Sequence, residues 1–81
     1  MAALVTAVDT DFTPAATPFT ISVSVGAASL LRRSAAGTAW NTVRTEMTAS
    51  DSGQIVDNPV AGTIYRFVPA GGNPPTVRAD Q

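Results

Sequence analysis

Along Phe19-Thr20-Ile21-Ser22-Val23-Ser24-Val25, large apolar side chains alternate strictly with small hydroxyl ones. A period of two predicts a β-strand with one dry and one wet face. Gly26-Ala27-Ala28 closes it. Residues 29–34, 39–47, 54–57 and 63–68 read as further strands, bounded by small, polar or Gly/Pro residues at 35–38, 48–53 and 58–62. Residues 69–75 carry Pro69, Gly71-Gly72 and Pro74-Pro75, a loop unfit for regular pairing. Residues 76–79 are predicted to add a last edge strand, with Asp80 and Gln81 fraying. No helical period is sustained. Residues 27–36 come nearest, but the segment is short and lies between turn signals. Short strands roughly every ten residues predict an all-β fold: a small immunoglobulin-like antiparallel sandwich or compact barrel of six to seven short strands.

The N-terminal part reads differently. Residues 2–9 form a candidate strand, and residues 9–18 a linker holding Pro14 and Pro18. Each proline removes a backbone donor and extends its predecessor, which places the linker on the surface. The chain thus divides into residues 1–18, a strand or arm with its linker, and residues 19–81, a single β domain. The arm pairs either with its own sheet or with a neighbouring subunit. Removing residues 1–17 is expected to leave the domain folded. The expected core is Phe19, Ile21, Val23, Val25, Leu31, Trp40, Val43, Phe67 and either Ile64 or Tyr65, with Trp40 as its main anchor.

Composition narrows what such a domain does. At 81 residues it buries only about 60–65% of its unfolded surface. Domains of this size gain support from disulfides, metals or association. Cys and His are both absent, which excludes disulfides and any thiolate or imidazole metal site. Association with copies of itself, as a homotrimer or homodimer, or with a larger scaffold is therefore expected. Charged residues make up 14% of the chain, the net charge is −1, and every cation is an arginine. Arginine without lysine fits an interface, or it reflects codon composition. The arginines form no basic stripe, so no nucleic-acid partner is expected. No run reaches the ~18 apolar residues of a membrane helix, so no membrane partner is expected either. The apolar start lacks a basic residue and stops at Asp9. It reads as a strand and not a targeting signal, which implies synthesis in a cytoplasm.

Reactive chemistry is equally sparse. Without His no Ser-His-Asp triad exists, and the chain is expected to be a non-enzyme with no cofactor. Asp9 with Asp11, and Asp51 with Ser52 and Gly53, read as solvated turn residues without a cation-loop spacing. Gly71-Gly72-Asn73 lacks the Lys and helix of a phosphate loop. Trp40, Tyr65 and Phe67 fit either a core or a sugar-stacking platform. Arg32 and Arg33 fall on opposite faces of their strand. The partner-binding candidates are Arg32, Arg44 and Arg66, whose forks match carboxylates. Pro14, Pro69 and Pro74 join them, in two segments expected to have unpaired backbone.

Two segments carry a family resemblance. Leu30-Leu31-Arg32-Arg33-Ser34-Ala35-Ala36-Gly37-Thr38-Ala39-Trp40-Asn41-Thr42-Val43 and Asn58-Pro59-Val60-Ala61-Gly62-Thr63-Ile64-Tyr65-Arg66-Phe67 resemble a pattern in small β-sandwich virion proteins of tailed bacteriophages, of the capsid decoration or cement type. The resemblance covers roughly residues 19–68. It implies a virion protein on the capsid exterior, bound as a trimer or dimer to the major capsid protein and strengthening the shell. The second segment also resembles the tyrosine corner of immunoglobulin-like sandwiches, with Tyr65 returning its hydroxyl to the turn before it. That likeness leaves a second expectation, an immunoglobulin-like carbohydrate-binding or adhesive module.

Overall fold

The computed structural model describes residues 3–34, 36–51, 53–57, 60–71 and 74–81. Among them seven strands form two antiparallel sheets: β1 (Ala3–Val5), β2 (Phe19–Val25), β3 (Ala28–Arg33), β4 (Asn41–Met47), β5 (Gln54–Val56), β6 (Ile64–Pro69) and β7 (Thr76–Asp80). The four-stranded sheet runs β1-β7-β2-β5 and the three-stranded sheet β4-β3-β6. The architecture is the expected small β-sandwich.

Strict alternation in β2 does what its pattern requires. Phe19, Ile21 and Val23 are buried against the other sheet, while Thr20 and Ser22 are only half-buried and Ser24 is exposed. The alternation fails at the last residue. A bulge between Val23 and Val25 shifts the register on β7, and Val25, expected in the core, is 54% exposed. The C-terminal strand is not an edge. β7 lies between β1 and β2, so Val77 and Ala79 are buried. Nor do the last two residues fray. Asp80 pairs with Thr20 and Ala3, and the Gln81 amide donates to the carbonyls of Ala15 (3.1 Å) and Thr17 (2.9 Å) while accepting from Ala15 N (2.8 Å).

The N-terminal segment settles on its own domain. β1 pairs with β7 through Ala3↔Asp80 and Val5↔Ala79, so of the two expected pairings the intramolecular one forms. Beyond it, Asp9 takes a left-handed backbone (φ 56°) and donates to the carbonyl of Phe67 at 2.7 Å. Phe12 then exchanges both backbone hydrogen bonds with Tyr65, at 2.9 and 2.8 Å. The stretch expected to lie on the surface thus crosses from one sheet to the edge of the other. Its Phe12 ring is 6% exposed and touches Phe19, Tyr65 and Phe67 at centroid distances of 5.8–5.9 Å. Pro14 is fully buried as well.

Trp40 is not the core anchor. It precedes β4, is only partly buried, and carries the guanidinium groups of Arg33 and Arg66 over its ring at 5.1 and 4.8 Å. Two irregularities in β4 explain the displaced pattern. Ala28 faces Met47, but Leu30 faces Arg44 and Leu31 faces Thr42, so extra residues enter β4 twice. Glu46 adopts φ 49° at the first and donates its N–H to Ser29 Oγ at 3.1 Å. The bulges turn Met47 into the core and leave Val43 at its margin. In β3 the inward residues are Ala28 and Leu30, and Leu31 is only half-buried. Tyr65, not Ile64, is the core residue at the start of β6.

Phe12→Ala should lower stability by about 3–5 kcal/mol, against a total of roughly 4–12 kcal/mol for a domain of this length. Trp40→Ala should cost only about 1–2 kcal/mol, the scale of two cation–π contacts with partial burial. Urea unfolding of both variants checks the order, and a larger loss at Trp40 would contradict it. Removing residues 1–17 takes away β1, Phe12 and Pro14 together. Circular dichroism of the truncated chain should show an unfolded protein, the opposite of what the sequence pattern implies.

Candidate functional site

Three strand ends converge at one end of the three-stranded sheet. β3 finishes at Arg32-Arg33, β4 begins at Asn41 and β6 at Ile64. The ladder sets Arg32 directly opposite Asn41 on one side and Tyr65 on the other. Tyr65 points into the core, so Arg32 shares its face of the sheet but stands past the packed region and is exposed. Around this row lies a cleft of about 290 Å³ lined by Arg32, Arg33, Ser34, Asn41, Val60, Thr63 and Tyr65. The turn that supplies Val60 and Thr63 needs Gly62, which sits at φ 87°. Thr63 pins that turn, donating from Oγ1 to the Val60 carbonyl at 2.9 Å.

The other arginines are occupied within the chain. Arg33 donates to the Gly37 carbonyl at 2.9 Å and lies over Trp40. Arg44 donates from Nε to Gln54 Oε1 at 3.0 Å and from Nη1 to the Val43 carbonyl at 3.1 Å, tying edge strand β4 to edge strand β5 across the sandwich. Arg66 meets Asp11 at 2.7 Å and covers Trp40 from the outer face of the sheet. Arg78 meets both carboxylate oxygens of Asp80 at 2.8 Å. Arg32 alone has no hydrogen-bond or ion-pair partner among the described residues.

The expected site residues therefore do not gather. Arg32 and Arg66 occupy opposite faces of one sheet, since Arg66 follows Tyr65 and faces Leu31. Arg44 belongs to the far edge. Pro14 is buried and presents nothing to a partner. Pro69 ends β6 opposite Ala28, at the other end of the sheet from Arg32, and is exposed, as is Pro74. The backbone of residues 9–17 is not free: Asp9, Phe12, Ala15 and Thr17 all hydrogen-bond within the chain. Asp11 is an ion-pair partner instead of a merely solvated turn residue.

Tyr65 and Phe67 are wholly buried and Trp40 lies outside the core, so the three rings form no common platform. The readings placed on Ser52, on Gly72-Asn73 and on the turn at Asn58-Pro59, including the tyrosine-corner bond to that turn, lie outside the described residues. Sequence reasoning missed Asn41, Ser34 and Thr63 as neighbours of Arg32. The hairpin joining 32 to 41 was the available signal, but the bulges in β4 hide its register.

No protein-family model, curated protein or solved structure matches the chain.

Because Trp40 is the single indole, the stack beside the cleft can be measured directly. Arg66→Gln should lower stability by about 1 kcal/mol, combining a surface ion pair with a cation–π contact. In a Trp40→Leu background the same change should cost less. Equal costs in the two backgrounds would show that the ring contributes nothing to the arginine's role.

Proposed function

We propose that this chain is a non-catalytic structural protein of a bacteriophage virion, a decoration or cement protein that binds the outer surface of the capsid and stabilises the shell. Its partners are the major capsid protein and copies of itself, as a homotrimer or a homodimer. The observation that carries the binding half of this reading is the cleft at the end of β3. Among its described lining residues it offers one unpaired guanidinium beside amide and hydroxyl groups, and no acid, base or nucleophile pair of the kind catalysis needs. A sandwich whose other arginines are engaged by partners within the chain suits a fixed mount better than a reactive pocket. The virion half rests on the resemblance in residues 30–43 and 58–67. The exposed residues that fit the contact are Arg32, Pro69 and Pro74.

Particles purified from the source of this chain should carry it in a fixed ratio to the coat protein, measured by quantitative mass spectrometry of gradient fractions. Its absence from every shell fraction would defeat the proposal. Stripped shells incubated with the purified chain should regain resistance to heat. Sedimentation velocity of the isolated chain should show association, since a domain of this length without disulfides gains needed stability that way. A monomer at high concentration would count against self-association.

A further inference from the structure

The cleft at the end of the three-stranded sheet is basic in a chain that is slightly acidic overall. Two of the five arginines line it, and no Asp or Glu is among its described lining residues. Arg33 contributes to its lining, with its guanidinium engaged by the Gly37 carbonyl at 2.9 Å and the Trp40 ring. Arg32 is exposed and unpartnered among the described residues. Asn41 stands directly across the ladder from it, also without a described side-chain partner. Cross-strand neighbours lie about 5 Å apart, so one small ligand group reaches both. Val60, 62% exposed, adds an apolar wall.

We propose that this cleft is a carboxylate site that receives one Asp or Glu side chain of a partner protein. The guanidinium fork of Arg32 donates two parallel hydrogen bonds to the carboxylate oxygens, and the Asn41 amide donates a third. The short aliphatic stem of the ligand lies along Val60. The size fits: about 290 Å³ is at the bottom of the range for small-molecule pockets and suits a single side chain. A phosphate fits poorly, because the cleft has one free guanidinium, no lysine and no helix N-terminus. The inference rests on the reading that the chain attaches to another protein, and it assigns where and through what chemistry.

The test is a heteronuclear NMR titration of the isotope-labelled full chain with N-acetyl-glutamate amide. N-acetyl-glutamine amide serves as the neutral control, and acetate and sulfate as free anions, all at matched ionic strength. Saturable shifts confined to Arg32 Nε, the Asn41 amide and residues 33–34 are expected with the glutamate probe and not with the glutamine one. Arg32→Gln should weaken the response about tenfold or more, and Arg32→Lys should restore only part of it, because the fork is lost while the charge remains. Arg78→Gln, at a distant pair, should leave it unchanged. An equal response to the glutamine probe, or an Arg32→Gln chain that still binds, would overturn the site. Acetate or sulfate binding as well as the glutamate probe would make it a general anion site and overturn the side-chain assignment. These outcomes are read in solution without shells, so an inert cleft defeats this inference alone, whereas absence of the chain from virions defeats the proposed function.

Discussion

One aromatic ring ties the two sheets together. Phe12 arrives on a segment that leaves the four-stranded sheet, pairs with Tyr65 at the edge of the three-stranded one, and returns to β2. Its ring is packed with Phe19 from one sheet and with Tyr65 and Phe67 from the other. A small sandwich has few large side chains with which to fill its middle, so a ring contributed from the connection counts for as much as one from a strand. Burial of such a ring is worth about 1.5–3 kcal/mol, a sizeable share of a small domain's margin. The same crossing covers the outer edge of β6, which removes an exposed edge from the three-stranded sheet.

The charged residues extend this logic outward. Arg66 holds Asp11 of the crossing segment to the outside of β6, while Gln81 holds Ala15 and Thr17 to the C-terminus. Arg44 closes the other side by joining the edges β4 and β5. Each long side chain here fastens a segment that the strand ladders leave loose. Among the described residues Arg32 and its cross-strand neighbour Asn41 are left without such a fastening role at one end of the sheet, and exposed Pro69 and Pro74 lie toward the other.

The cleft lies at the Arg32 end of the three-stranded sheet and Pro69 at the Ala28 end, so their spacing follows from the length of β3 and β6. The aromatic cluster, the pairing of β1 with β7 and the Gln81 hydrogen bonds hold the sheets together in a chain that has no cysteine for a disulfide.

The amino-acid sequence by itself determined the β class, the alternation of β2 and the approximate places of the turns. These follow from local periodicity and from glycine and proline, which act on the residues beside them. It also determined that Arg32 and Arg33 part to opposite faces. Only the tertiary structure decided the rest. Trp40 reads as core by size, yet bulges at Val43 and Glu46 and two nearby guanidinium groups hold it on the outer side. Phe12 reads as linker by its proline neighbours, yet it fills the space where the two sheets meet. β7 reads as an edge by its position in the chain, yet β1 pairs outside it. In each case the deciding contact joins residues far apart in sequence, and no local pattern encodes which distant partner a side chain will meet.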